Sequence, residues 1–300
     1  MKDNFLNRTF VIAIILAVFT TSCSNVDDSV GPSQIDTTPP ILNELDLYLR
    51  NSFVIPYNID IQYKWDINDT SVNRFLHPPF QSNVKPMATL LQDVWIAPYT
   101  AVGGVNFIKN IAPREFILSG GFNYNPNSPT ITLGIAEAGA RITLFNLDEL
   151  DYSSIVYDED TNNDFEVQLS IVGPISTVHH EYGHILNQNV PFDPAFEKIT
   201  PGDYTAQWFN RSNEQARELG FITAYASNQP GEDFVEMIAQ MLVRTRADYD
   251  ALVNSISSQQ AKDAIRLKEQ FVVDYYQDNF DIDFYALQEL TSQALIDAVN

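Results

Sequence analysis

The stretch 171-IVGPISTVHHEYGHILNQNV-190 constrains this chain more than any other, and the rest is expected to be organised around it. Ile175, Val178, Ile185 and Leu186 recur at the spacing of a buried helix, yet His180, Glu181 and His184 stand among them. On a helix, His180 and His184 fall one turn apart on one face, so both imidazoles reach a single point, with Glu181 beside it. Burying two imidazoles and a carboxylate together is costly unless something compensates, and a metal ion is the usual compensation. Three of the four histidines (His179, His180 and His184) lie in this stretch. Gly183 leaves room for another backbone or side chain to come close. The bare pattern His-Glu-x-x-His arises by chance in about one chain of this length in a hundred, so its context matters. The competing reading is a pair of hydrogen-bonded structural histidines.

A zinc ion takes a third protein ligand and leaves its fourth position to water. Apart from His77 and His179 no further histidine exists, and the single cysteine is Cys23, so a carboxylate is the economical choice. Downstream, 232-EDFVEMIAQMLV-243 has a strong helical period and follows Pro230-Gly231. Glu232 is the best candidate there. Glu236, one turn on, is either the true ligand or a group that accepts a hydrogen bond from a ligand imidazole. Asp233 points away from both on a helical wheel. Against this, Glu232 could be a solvated first-turn residue favoured by the helix N-terminus. His179 lies about 100° round the helix from His180 and cannot share its ligand geometry. It is expected beside the cleft or hydrogen-bonded to a carboxylate. His77, beside Pro78-Pro79, reads as a surface or turn residue.

Lys2 and Arg8 followed by the apolar run 9-TFVIAIILAVFTTS-22 read as a signal peptide over residues 1–22. The run ends at Cys23, which with Ser24-Asn25-Val26-Asp27-Asp28 resembles a bacterial lipobox and a Bacteroidota surface-export signal, departing from the usual pattern at Thr20. On that reading Cys23 is acylated and residues 23–40 are a flexible tether. The alternative is an ordinary secretory signal or an uncleaved anchor. Residues 41–300 are ample for a hydrophobic core without disulfides. Acidic residues outnumber basic ones 39 to 17, for a net charge of -22, which excludes a phosphate-backbone binder.

The body alternates at Leu45, Leu47 and Leu49 and again at Ile59, Ile61, Tyr63 and Trp65, predicting two strands around a Pro-Tyr-Asn turn. Residues 70–86 read as irregular. A helix from Met87 to Tyr99 is expected to end at Pro98, and a short one to cover Val105–Ile111. Strands follow at Phe116–Leu118, Ile131–Ile135 and Arg141–Phe145. The acidic run Asp158–Asp164 lacks EF-hand spacing and reads as a polar surface loop. The connection 188–213, with three prolines, is long enough to form part of a substrate site or lid. Two further helices are expected, about Ser258–Asp278 and Asp283–Ala298.

Taken with Tyr225 and Glu232-Asp233-Phe234-Val235-Glu236, the His180–His184 pattern resembles the gluzincin metallopeptidases, in particular the catalytic domain of anthrax lethal factor. In that family a tyrosine stands seven residues before the glutamate ligand, as Tyr225 does before Glu232. Asp233 stands where the family pattern has phenylalanine, and the likeness spans only Ile175 to Gln240. The resemblance implies an α+β, zincin-like fold with a small mixed sheet, an active-site helix and a helical C-terminal part. It divides residues 41–300 into a sheet-rich lobe to about residue 187 and a helical lobe after it. It implies Zn2+ on His180, His184 and Glu232, Glu181 as base, Tyr225 as donor on the oxyanion side, and Glu236 behind a ligand imidazole. An edge strand would border the cleft and pair with an extended substrate. The lipoprotein start with this core is also similar to zinc metallohydrolase lipoproteins of Bacteroidota encoded beside TonB-dependent importers. The expectation is therefore a peptidase acting on peptide or protein, anchored to the outer membrane on its cell-surface or periplasmic face, with an importer and its surface binding protein as partners. The alternative is a binding lipoprotein of such a system whose zinc is structural; a glycan-active enzyme is a weaker third.

Overall fold

Residues 41–66, 74–126, 130–137, 139–157 and 164–300 are described by a computed structural model, residues 164 and 165 as backbone only. The signal peptide, Cys23, the tether, residues 70–73 and the acidic run up to residue 163 lie outside the described residues. Leu42–Asn300 forms one unit.

The first predicted strand is a helix. α1 (Glu44–Leu49) passes through a wide, π-type turn (Arg50–Val54) into a last turn, Ile55–Tyr57. Its start is fixed by reciprocal capping. The Asn43 side chain accepts from the Asp46 N–H at 2.8 Å, and the Asp46 carboxylate accepts from the Asn43 N–H at 3.0 Å. The alternation of Leu45, Leu47 and Leu49 misled because a cap two residues upstream outweighs a three-residue pattern. Asn58, at φ 57°, ends the helix, and β1 (Asp60–Gln62) follows as expected.

The prolines behave alike. α2 (Gln81–Leu90) carries Pro86, runs through a second wide turn (Leu91–Ile96) and continues as α3 (Ala97–Gly103), past Pro98. Ile55 and Ala97, each just before a proline, donate to the carbonyl five residues back, Arg50 and Gln92. Widening the turn relieves the clash between the proline ring and the carbonyl four residues back, so Pro98 does not end the helix. The irregular segment is correspondingly shorter than expected and closes at Phe80.

After α4 (Val105–Ile111) come β2 (Glu115–Leu118), β3 (Asn123–Tyr124), β4 (Ile131–Thr132), β5 (Gly134–Glu137) and β6 (Arg141–Leu144). The main sheet has the order β1-β2-β6-β5; β1, β2 and β6 are parallel and β5 is antiparallel at the edge, with Ile135 opposite Thr143. β3 and β4 form a separate antiparallel pair.

α5 (Asp164–Leu169) leads into α6 (Val172–Asn189), which carries the histidine motif. Tyr182 shows why α6 is central. Its ring meets Trp95 at 5.2 Å and Tyr99 at 5.1 Å, both edge-on, and Trp95 in turn meets Phe116 of β2. One motif residue thus ties α6 to α3, the wide turn and the sheet through aromatic packing. The connection after α6 holds short 3-10 turns at Phe196–Lys198 and Trp208–Asn210, then α7 (Asn213–Arg217) and a turn at Tyr225–Ser227. α8 (Pro230–Leu242), α9 (Arg246–Ser255), α10 (Gln259–Phe280) and α11 (Phe284–Asp297) complete the chain. The sequence reading missed α9, whose start is set by Thr245 accepting from the Asp248 N–H at 3.1 Å. No described helix is long and apolar enough to cross a membrane. The whole is α+β: a small mixed sheet, one central motif helix and a helical C-terminal part.

Candidate metal centre

α6 and α8 bring the site together, and one glycine lets them do so. A Cβ on Gly183 would meet the Val235 side chain at 3.0 Å, so α8 packs against the helix backbone where the motif has no side chain. That contact sets Glu232 and Glu236 opposite His180 and His184. The Nε2 atoms of His180 and His184 stand 3.1 and 3.2 Å from the same oxygen, Glu232 Oε2. The other Glu232 oxygen accepts from Gln229 Nε2 at 3.1 Å, which aims Oε2 at the imidazoles. Glu236 faces elsewhere. Its Oε1 lies 2.7 Å from His180 Nδ1, and its Oε2 accepts from the Thr223 hydroxyl at 2.7 Å. Of the two carboxylates left open by the sequence, Glu232 meets both Nε2 atoms and Glu236 orients the ring of His180.

The donor set fits a zinc ion. Ligand atoms at about 2.0–2.1 Å from tetrahedral zinc stand about 3.3 Å apart, close to the spacings seen here. The three ligand atoms lie within 4.8 Å of one another. Nδ1 of His180, occupied by Glu236, leaves the Nε2 lone pair for a metal. The electrostatics agree. Burial alone would lower the His180 pKa, but Glu232 and Glu236 outweigh it and raise it to about 10. Burial would raise Glu232, and the hydrogen bonds of His180 and His184 instead hold it well below the usual carboxylate range. A pocket that holds a proton this firmly calls for positive charge.

Glu181 is buried beside the ligands, and burial pushes its pKa up against the pull of His180 and His184. The backbone N–H of Ala136, on edge strand β5, faces its carboxylate. β5 runs against α6 because Gly134 has no side chain; a Cβ there would sit 2.3 Å from Thr177 Cγ2. Tyr225 stacks on His180 with ring centroids 5.7 Å apart and is backed by Trp208 at 4.8 Å. Burial, and then Glu232, Glu236 and Glu181, raise its pKa, so the phenol keeps its proton and remains a donor.

One sequence expectation fails. His179 is neither beside the cleft nor bonded to a carboxylate: it is fully buried near Tyr99, and burial lowers its pKa to about 3. Asp233 does point away from the imidazoles, but it is not idle. Its carboxylate lies 2.6 Å from Lys268 Nζ, both side chains being inaccessible, and accepts from Tyr204 at 2.7 Å; Lys268 also donates to the Gly220 carbonyl at 2.8 Å. This cluster ties α8 to α10 and to the connection that walls the cleft. Burial raises Asp233 to about 6 and lowers Lys268, so desolvation outweighs their mutual attraction. Thr223, Gln229 and Trp208 were not singled out from sequence; proximity in the chain to Tyr225 and Glu232 hinted at the first two, and Trp208 lies within the connection 188–213. His77 is exposed, lies against Gly120 and Gly121 and is not part of the His180–His184–Glu232 group.

His180, Glu181, Tyr225 and Glu236 line a cleft of about 1070 Å³. Its floor is the seam of α6 and α8, where Gln240 Nε2 donates to Ser176 Oγ at 3.3 Å, and residues 208–213 form part of its wall. The long connection after α6 therefore does shape the cleft.

Curated proteins gave no match to the chain. A crystal structure of a "putative zinc-binding metallo-peptidase" from Bacteroides caccae is similar over 85% of this chain and 92% of that one, at 27% identity and a TM-score of 0.67. Residues 40–285, which hold both helices of the site and every residue named around it, match the family described as "Putative zinc-binding metallo-peptidase", and the chain belongs to that family.

Proposed function

We propose that this protein hydrolyses peptide bonds with one zinc ion held by His180, His184 and Glu232, in the manner of a gluzincin. The observation that carries this reading is the meeting of two Nε2 atoms on one Glu232 oxygen, with a second buried acid, Glu181, beside them in an open cleft. Bound there, zinc supplies Lewis-acid polarisation of the substrate carbonyl and of the attacking water. Glu181 takes the proton of that water and passes it to the leaving amine; its raised pKa suits a group that must both accept and release a proton. Tyr225 donates a hydrogen bond to the oxygen that becomes negative. Glu236 holds the Nδ1 proton of His180 and so fixes the tautomer. A binding protein with a structural metal has no use for Glu181, which favours the enzyme. Replacing Glu181→Gln keeps the zinc and lowers peptide turnover by about a hundredfold or more. Turnover of the variant near the wild-type rate removes Glu181 from the chemistry.

On the same reading the chain is a lipoprotein of the outer membrane, on the cell-surface or periplasmic face, beside a TonB-dependent importer and its surface binding protein, with Cys23 acylated. The supports are the apolar run before Cys23 and the acidic residues after it. Metabolic labelling with a fatty-acid analogue is expected to mark the wild-type chain and not Cys23→Ser; equal labelling of both would move the anchor elsewhere.

A further inference from the structure

The walls of the cleft reverse the charge of the chain. Acidic residues outnumber basic ones 39 to 17 overall. Among the described residues lining the cleft, the carboxylates are Glu181 and Glu236, both in the metal centre, whereas Arg211, Arg217 and Arg244 line it as well. Arg211 is partly exposed, and its guanidinium is braced at 2.6 Å by a neutral acceptor, the Asp203 carbonyl. It sits three residues beyond Trp208, whose ring packs on Tyr225, which in turn stacks on His180. Arg217 ends α7 on the same wall. Arg244 stands just past the end of α8, eight residues on from Glu236, and like Arg217 it is buried and has partners of its own. Arg244 is held by Gln240 and lies over the Tyr157 ring, 4.9 Å from its centroid, so its charge has a fixed place.

Resting on the peptidase reading, we propose that the cleft selects peptides that present a carboxylate a few residues from the bond to be cut, received by the partly exposed Arg211. The carboxylate is an acidic side chain or the peptide's own C-terminus; both offer two coplanar oxygens to a guanidinium.

The test uses the full chain, zinc-loaded, with Glu181→Gln so that peptides stay intact. Binding of four labelled octapeptides is measured by fluorescence anisotropy: Glu or Gln at two inner positions, each with a free or an amidated C-terminus. The Glu peptide with an amidated end is expected to bind about tenfold tighter than its Gln counterpart, the size of one charge-assisted contact. If the gain appears only with the free end, the terminus is the source, and the proposal stands in that form. Adding Arg211→Gln is expected to shrink the gain to less than about twofold with zinc content unchanged, and Arg211→Lys to restore part of it. Equal affinity for all four peptides, or a gain that survives Arg211→Gln, overturns the proposal. Wild-type protein that cleaves the peptides without preference also overturns it and leaves the peptidase reading intact. If no peptide is cut while the affinity difference persists, the peptidase reading falls and the carboxylate-binding cleft remains.

Discussion

His180 uses both ring nitrogens, and much of the site follows from that. Glu236 takes Nδ1 and Glu232 lies on Nε2, so without a metal the imidazole holds a proton between two carboxylates and its pKa rises to about 10. The folded-state value lies above the unfolded one near 6.5, so this group stabilises the metal-free protein fully below pH 6.5, and that stabilisation fades as pH rises through about 10. On the proposed reading, zinc would take the place of the proton. The gap in denaturation midpoint between zinc-loaded and metal-free protein should therefore widen from pH 6.5 towards pH 10, because proton competition falls away. A gap independent of pH would show that His180 is not the group displaced. At this scale the sequence was informative where chemistry is spelled by spacing: His180, Glu181 and His184 by one helical turn, Glu232 and Glu236 by another. It favoured Glu232 over Glu236 as the glutamate facing the imidazoles but left the choice open. That choice depends on Gln229 holding one oxygen of Glu232 and Thr223 one oxygen of Glu236, contacts made by loop residues with no periodicity. His179 was misplaced because a wheel gives its direction but not what stands there, and what stands there is the aromatic core around Tyr99 and Tyr182.

At the scale of elements, the site is a contact between two helices. α6 and α8 approach where Gly183 faces Val235 and Ile238. Gly183→Ala puts a methyl 3.0 Å from Val235 Cγ1 and 3.1 Å from its Cβ, and the close-packed side chain cannot yield without moving α8. Overpacking of this kind costs about 1–3 kcal/mol, and here it also shifts Glu232 relative to both imidazoles. Thermal denaturation and zinc titration of Gly183→Ala should show loss of both stability and zinc affinity; unchanged zinc affinity would mean the site does not depend on that approach. Both helices were legible, since each has a long apolar stripe. α1 was not, because three leucines at alternate positions imitate a strand, while the helix is decided by the Asn43–Asp46 cap. Pro98 was taken as a stop because a proline usually removes a needed donor; the wide turn over Leu91–Ile96 lets the helix pass it.

Over the whole molecule, a chain of net charge -22 sets Glu232 between two imidazoles in a group that could hold a cation, and arginines are among the residues lining the adjoining cleft. The buried Asp233–Lys268 pair joins α8 to α10 and, through Tyr204 and Gly220, to the connection that walls the cleft, so the helix of Glu232 and that wall share one anchor. The fold class was readable through the resemblance of the His180–Glu236 pattern to gluzincins, not from the order of strands and helices. The cleft was not, because its walls come from β5, α6, α8 and the connection after α6, and only the folded chain sets them together. The most direct test of the account is the zinc content of purified wild-type protein and Glu232→Ala after exhaustive dialysis at fixed free zinc. The account predicts about one zinc per wild-type chain and a small fraction of that in the variant. A Glu232→Ala protein that keeps a full zinc, or a wild type that takes none, would contradict it.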